Sequence, residues 1–126
     1  MIERYTLNEL VRALIGNSYL SETQIDVLLC RKYAEVSGLR FKDVLKLRQK
    51  HTTFASFDRS YMQATTVIKK CVLTLLLLDY FGLLEEDFTV HFDNARTLLK
   101  NFNKELANSS DIKSIIDKFV SGRLQL

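Results

Sequence analysis

The chain has no proline and no tryptophan, and only four glycines and two cysteines among its 126 residues. Proline is the residue that both clashes with the preceding helical turn and removes a backbone donor, so its absence leaves long helices unbroken. The glycines stand alone at 16, 38, 82 and 122, which excludes a glycine-rich phosphate loop. Cys30 and Cys71 are too far apart in sequence to form a metal-type or redox-type pair. Both lie among apolar residues, where buried free thiols are the default, and a reducing, cytoplasmic compartment fits. A membrane-length apolar run is also missing. The longest, 71–78, contains Thr74 and ends at Asp79, far short of the ~20 residues a span requires. Arg4 and Glu9 interrupt any signal-like stretch at the start. No membrane partner is expected.

What is present points to helix. The composition is 47% hydrophobic and 26% charged, enough apolar material for a core. Leu, Lys, Arg and Glu dominate over Val and Thr, which favours helix. The net charge of +3 is unevenly spread. Residues 31–70 hold ten Lys/Arg against three acids, a balance of +7, and the rest hold eight against twelve, a balance of −4. A basic block confined to one segment suits a polyanionic partner. The same block also fits an ordinary solvated helix surface.

Capping signals and apolar spacing divide the chain. Thr6-Leu7-Asn8-Glu9 reads as a capping box before a helix closed by Gly16. Ser21-Glu22-Thr23-Gln24 is a second box, with Leu20 placed to staple against Ile25. The helix it opens carries Ile25, Leu28, Leu29, Tyr33 and Val36 and stops at Ser37-Gly38. A short helix follows, with Val44 and Leu45 inward and Lys42, Lys46, Arg48 and Lys50 outside. Gln49 to Ala55 reads as a turn, and Ser56 as the cap of a long third helix over 56–81, stopped by Gly82. Phe57, Tyr61, Ala64, Ile68, Cys71, Leu75 and Leu78 repeat as a heptad seam. Beyond residue 70 this helix is apolar on nearly all sides, as expected of one buried all round or in a dimer core. Residues 83–92 admit two readings, a short wing strand at 88–92 or a helical heptad from Phe88 and Phe92 onward. Helix is favoured from Asp93, as cap, to Ala107. A last helix capped by Asp111 would carry Ile112, Ile115, Ile116, Phe119 and Val120.

The third helix carries the functional argument. At 100° per residue Phe57, Tyr61, Ala64 and Ile68 share one face. Arg59, Gln63, Thr66 and Lys70 lie opposite, flanked by Ser56 and Ser60. Arg suits guanine O6/N7 and Gln suits adenine N6/N7. Thr52, Thr53 and Ser56 stand where hydroxyls and helix N-terminal amides meet a phosphate. Lys46, Arg48 and Lys50 lead toward the turn and suit backbone charge. Asp58 works against the scheme, since it repels phosphate. The bland alternative is an amphipathic core helix with a soluble outer face.

Leu20-Ser21-x-x-Gln24-x-x-Val27-Leu28, followed by Gly38-Leu39-x-x-Lys42-Asp43-Val44, resembles the opening of the sigma-factor region 4 and LuxR-like helix-turn-helix class. Ala64-x-x-x-Ile68 and Thr74-Leu75 extend the resemblance to the archaeal Tfx-type DNA-binding family, over residues 20–78. The resemblance implies transcriptional regulation, with Ser56, Arg59, Ser60 and Gln63 at recognition-helix positions. The chain departs from that pattern in a longer first motif helix and a longer turn at 49–55.

No catalytic constellation emerges. His51 and His91 have no partner at metal-ligand spacing and read as polar turn residues. Glu85-Glu86-Asp87 lacks the spaced oxygen ligands of a calcium loop. The expected protein is therefore all-α and not an enzyme, with no cofactor and no metal. Residues 1–82 form a helix-turn-helix domain, with or without a wing, and residues 83–126 a C-terminal helical segment for dimerisation, packed with the first as one unit. Its expected partners are double-stranded DNA and a second copy of itself. The alternative is a helical assembly module without nucleic-acid binding.

Overall fold

The computed structural model describes residues 9–46 and 53–101, together with 114, 116, 117 and 119–121. These residues are mostly helical, and no strand occurs among them. The helices in order are α1 (Glu9–Gly16), α2 (Glu22–Ser37), α3 (Phe41–Leu45), α4 (Phe54–Tyr80) and α5 (Phe88–Lys100). The chain is all-α, as its composition implies. By internal contacts it divides into two units. The first comprises residues 1–7 and 14–70, and the second residues 8–13 and 71–126.

In the first unit, α2 begins with a complete capping box. The Gln24 N–H donates to Ser21 Oγ at 3.1 Å, and the Ser21 N–H donates to Gln24 Oε1 at 2.9 Å. Two orphan amides of the first turn are satisfied this way. The helix ends at Gly38, whose φ of 70° is the left-handed conformation that glycine adopts without a Cβ penalty. Ser37 Oγ ties the same end by donating to the Tyr33 carbonyl at 2.6 Å. After Gly38 the chain re-enters helix at α3 and packs it against α2. Val27 and Cys30 from α2, Val44 from α3 and Phe57 from α4 form a fully buried cluster, with Leu29, Tyr33, Ala34, Leu45 and Tyr61 packed around it.

Helix α4 starts earlier than its sequence signals. Phe54 and Ala55 are helical rather than part of the turn, and Ser56 is not the cap. The Ser56 N–H donates to Thr53 Oγ1 at 3.1 Å, so Thr53 closes the helix start. At the other end the expected stop holds. Gly82 has φ 69°, its N–H reaches the Asp79 carbonyl at 3.0 Å, and the Leu83 N–H reaches the Leu78 carbonyl at 2.9 Å. This pair of bonds is a Schellman closure.

In the second unit the wing does not form. Helix α5 begins at Phe88, so Asp93 sits inside the helix instead of capping it. Phe88 and Phe92 lie one turn apart with stacked rings at 6.2 Å, so the heptad spacing wins over the strand-like alternation. Helix α5 ends at Lys100, and the Phe92 ring meets Phe119 at 6.5 Å. The thiols differ from expectation in one case, since Cys30 is buried but Cys71 is exposed. The apolar stretch after residue 70 differs most. Val72, Leu73, Leu75, Leu76 and Leu77 are all exposed rather than buried all round, because helical periodicity reports what a face needs and not whether a neighbour covers it. Helix α4 is also long and apolar enough to cross a membrane by length and composition alone.

The capping box at Thr6, the turn with His51, and the segments 102–113 and 122–126 lie outside the described residues.

Candidate nucleic-acid interface

Helix α4 is anchored on one side only. Phe57 is 1% exposed and Ala64 is fully buried, with the half-buried Tyr61 between them. Arg59 and Gln63 project from the other side and are exposed, as are Ser56, Thr53 and Lys70, while Ser60 is half-buried. In the first three turns of α4, Phe57 and Tyr61 pack on α2 and α3, and the outer side is polar apart from the exposed Phe54 and Met62. Lys46, next to the end of α3, is exposed as well. Arg48, Lys50 and Thr52 lie outside the described residues.

Charge over this unit is one-sided. Between Arg31 and Lys70 every described Lys and Arg is exposed, eight in all, against three acids. Arg40 is partly neutralised, since its Nε lies 3.5 Å from Asp43 Oδ2. Asp58 is exposed beside Arg59 and lowers the positive potential at the centre of the face.

No protein-family model matches this chain, and no curated protein or solved structure is detectably similar to it. The chemistry of the face rests on its own side chains. Arg59 offers a planar fork of donors and Gln63 a donor and an acceptor side by side, which are the two groups that pair bidentately with purine edges. Ser56 and Thr53 supply hydroxyls at the helix start. Thr53 Oγ1 already accepts the Ser56 amide, so that amide is used by the protein itself. Thr66 contributes less than its position implies. Its hydroxyl donates to the Met62 carbonyl at 2.9 Å, and Thr65 does the same at 3.0 Å.

Spacing along the chain does not reveal Arg31. Its guanidinium lies over the Tyr61 ring, 5.0 Å from the centroid, which holds a cation from α2 beside α4. The two residues are thirty positions apart, and only the packing of α2 on α4 brings them together. His91 is also misread from sequence. It sits on α5 with Nε2 3.3 Å from Glu85 Oε1, where it helps to fix the loop before that helix. Among the described residues no cluster of His, Cys, Asp and Glu can hold a metal ion.

Proposed function

We propose that this protein is a sequence-specific DNA-binding transcriptional regulator that acts as a homodimer and reads duplex DNA through the first half of α4. The observation that carries this reading is the division of α4 about its own axis. Phe57 is buried against Val27 and Cys30 of α2 and Val44 of α3 and Ala64 is fully buried, while Arg59 and Gln63 stand exposed on the opposite side. A reading helix requires this combination of a rigid back and a donor-rich front. Phosphate contacts would come from Lys46, Lys70 and the hydroxyls of Ser56, Ser60 and Thr53, with Arg48, Lys50 and Thr52 assigned the same role by sequence. The short motifs within residues 20–78 resemble the archaeal Tfx-type class, but no family model matches the chain and the reading stands on the geometry of α4 alone. Ser56 stands at the third helical position of α4 rather than at its cap.

A second reading is favoured by a separate observation. The exposed apolar side chains at 72–81 suit a helical assembly module that needs no nucleic acid.

Fluorescence anisotropy with labelled duplexes over a range of salt concentrations separates the two. A DNA-binding protein shows log K falling steeply with log salt, with a slope of about −0.9 per phosphate neutralised. Arg59→Ala with Gln63→Ala then reduces preference for a selected site by about 10-fold or more, from the loss of ~1–3 kcal/mol per bidentate contact, and leaves the helical circular dichroism unchanged. Binding absent at low salt sinks the reading. Selectivity unchanged in the double variant removes these two residues from it.

A further inference from the structure

The solvent side of α4 changes chemistry part-way along the helix. Up to Lys70 it carries Asp58, Arg59, Gln63, Thr66, Lys69 and Lys70, all exposed, with Met62 an exposed apolar side chain among them. Beyond it every position from Cys71 to Leu77 is exposed, as are Asp79, Tyr80 and Phe81, and the most exposed large apolar side chains of the helix there are Val72, Leu73, Leu76, Leu77 and Tyr80, followed by Phe81. At 100° per residue the five helical positions occupy one arc of about 140°. With Tyr80 84% and Leu73 63% exposed, the six side chains present on the order of 750 Å², which exceeds the ~300–600 Å² patch of a typical monomer. It also nearly equals the ~800 Å² that each partner contributes to a standard interface.

Helix α4 passes as a membrane span by length and composition, but its charge pattern suits one poorly. Lys69 and Lys70 sit in the interior of α4, and ammonium groups deep in a bilayer are strongly disfavoured. The apolar stretch that remains, 71–81, is about 16 Å of helix, roughly half of a ~30 Å hydrocarbon core.

We propose that the surface is covered by a second copy of this chain, with the two α4 segments antiparallel and a two-fold axis at Leu76. Charge sets the direction. The apolar segment is entered through Lys69 and Lys70 and left through Asp79, with Glu86 and Asp87 just beyond, all of them exposed. Parallel pairing stacks like charges on like. Antiparallel pairing brings the basic entry of one copy to the acidic exit of the other, and a two-fold interface repeats that match on both sides. In this register Leu76 meets Leu76, and Val72 meets Tyr80. The inference does not rest on DNA binding, although a dimer is what the DNA reading requires.

The test combines mass with direction. Light scattering behind size exclusion is expected to give twice 14.6 kDa for the full chain, and a monomer for Leu76→Glu with unchanged helical circular dichroism. In a Cys71→Ser background, Val72→Cys and Tyr80→Cys chains are oxidised with copper phenanthroline, alone and mixed. The mixture is expected to cross-link and neither variant alone, which keeps the proposal falsifiable even if Leu76→Glu unfolds. A monomeric full chain at every concentration, a dimeric Leu76→Glu, cross-linking of Val72→Cys to itself, or a monomer that floats with phosphatidylcholine vesicles would each overturn it. Duplex DNA binding is read on the same samples. Its absence would leave the mass and cross-linking results standing, so the two proposals fail separately.

Discussion

Replacing Phe57 by alanine removes the one large α4 side chain that is fully enclosed by the first unit. Phe57 is 1% exposed and meets Val27, Cys30 and Val44, each with no exposed surface. Truncating a buried phenylalanine typically costs about 3–5 kcal/mol, part lost transfer energy and part cavity. For a chain of 126 residues at about 0.05–0.15 kcal/mol per residue, total stability is roughly 6–19 kcal/mol, so the change removes a large share of it. With an m-value of about 2 kcal/mol/M, the urea midpoint falls by about 1.5–2.5 M. Met62 is the internal control, since it lies on the same helix and is 58% exposed. Met62→Ala is expected to shift stability by no more than about 0.5 kcal/mol. Urea titrations followed by circular dichroism at 222 nm measure both. Equal shifts for the two variants, or a loss below about 1 kcal/mol for Phe57→Ala, would refute the anchoring of α4 on α2 and α3. The orientation assigned to Arg59 and Gln63 would fall with it.

Two smaller perturbations probe other parts of the chain. Gly82→Ala introduces a Cβ that meets nothing within 4 Å but sits at φ 69°, so the cost is backbone strain of about 1–2 kcal/mol, read as a lowered thermal midpoint; no change would dismiss the Schellman closure. In native protein a thiol reagent such as dithionitrobenzoate should modify Cys71 quickly and Cys30 only on unfolding, because Cys71 is exposed and Cys30 has no exposed surface. Two fast thiols would contradict the core around Cys30.

Local signals in the sequence proved readable where the physics is local. The Ser21–Gln24 capping box needs only four adjacent residues, and both of its bonds form. Gly38 and Gly82 stop their helices because only glycine enters the left-handed region freely, a property of one residue. Of the seam from Phe57 to Leu78 only the first part is enclosed: Phe57 and Ala64 are buried and Tyr61 is half-buried, whereas Ile68, Cys71 and Leu75 are exposed. The start of α4 was legible only to within one turn, because Thr53 and Ser56 are both good caps and sequence does not rank them. The Phe88–Phe92 segment satisfied two periods at once, and the ring stacking at 6.2 Å that decides for helix is visible only in three dimensions. The Arg31–Tyr61 contact was beyond reach for the same reason, since it joins two helices.

The apolar run after Lys70 illustrates a different limit. Val72 to Leu77 reads as a buried core segment, and its side chains do require cover, yet the described chain leaves them open. Composition specifies the demand for burial, whereas the supply comes from whatever packs there, within the chain or from outside it. The polar and apolar halves of α4 face solvent on the same helix, so substitutions at Arg59 or Gln63 and substitutions at Leu76 act on different chemistry with one fold as background. Loss of DNA selectivity with an intact dimer, and loss of the dimer with intact salt-dependent DNA attraction, are the two separable outcomes expected of a helix divided at Lys70. Variants at 59 and 63 that instead dissociate the chain, or Leu76→Glu protein that loses all attraction for DNA while still folded, would mean that the two halves act as one surface.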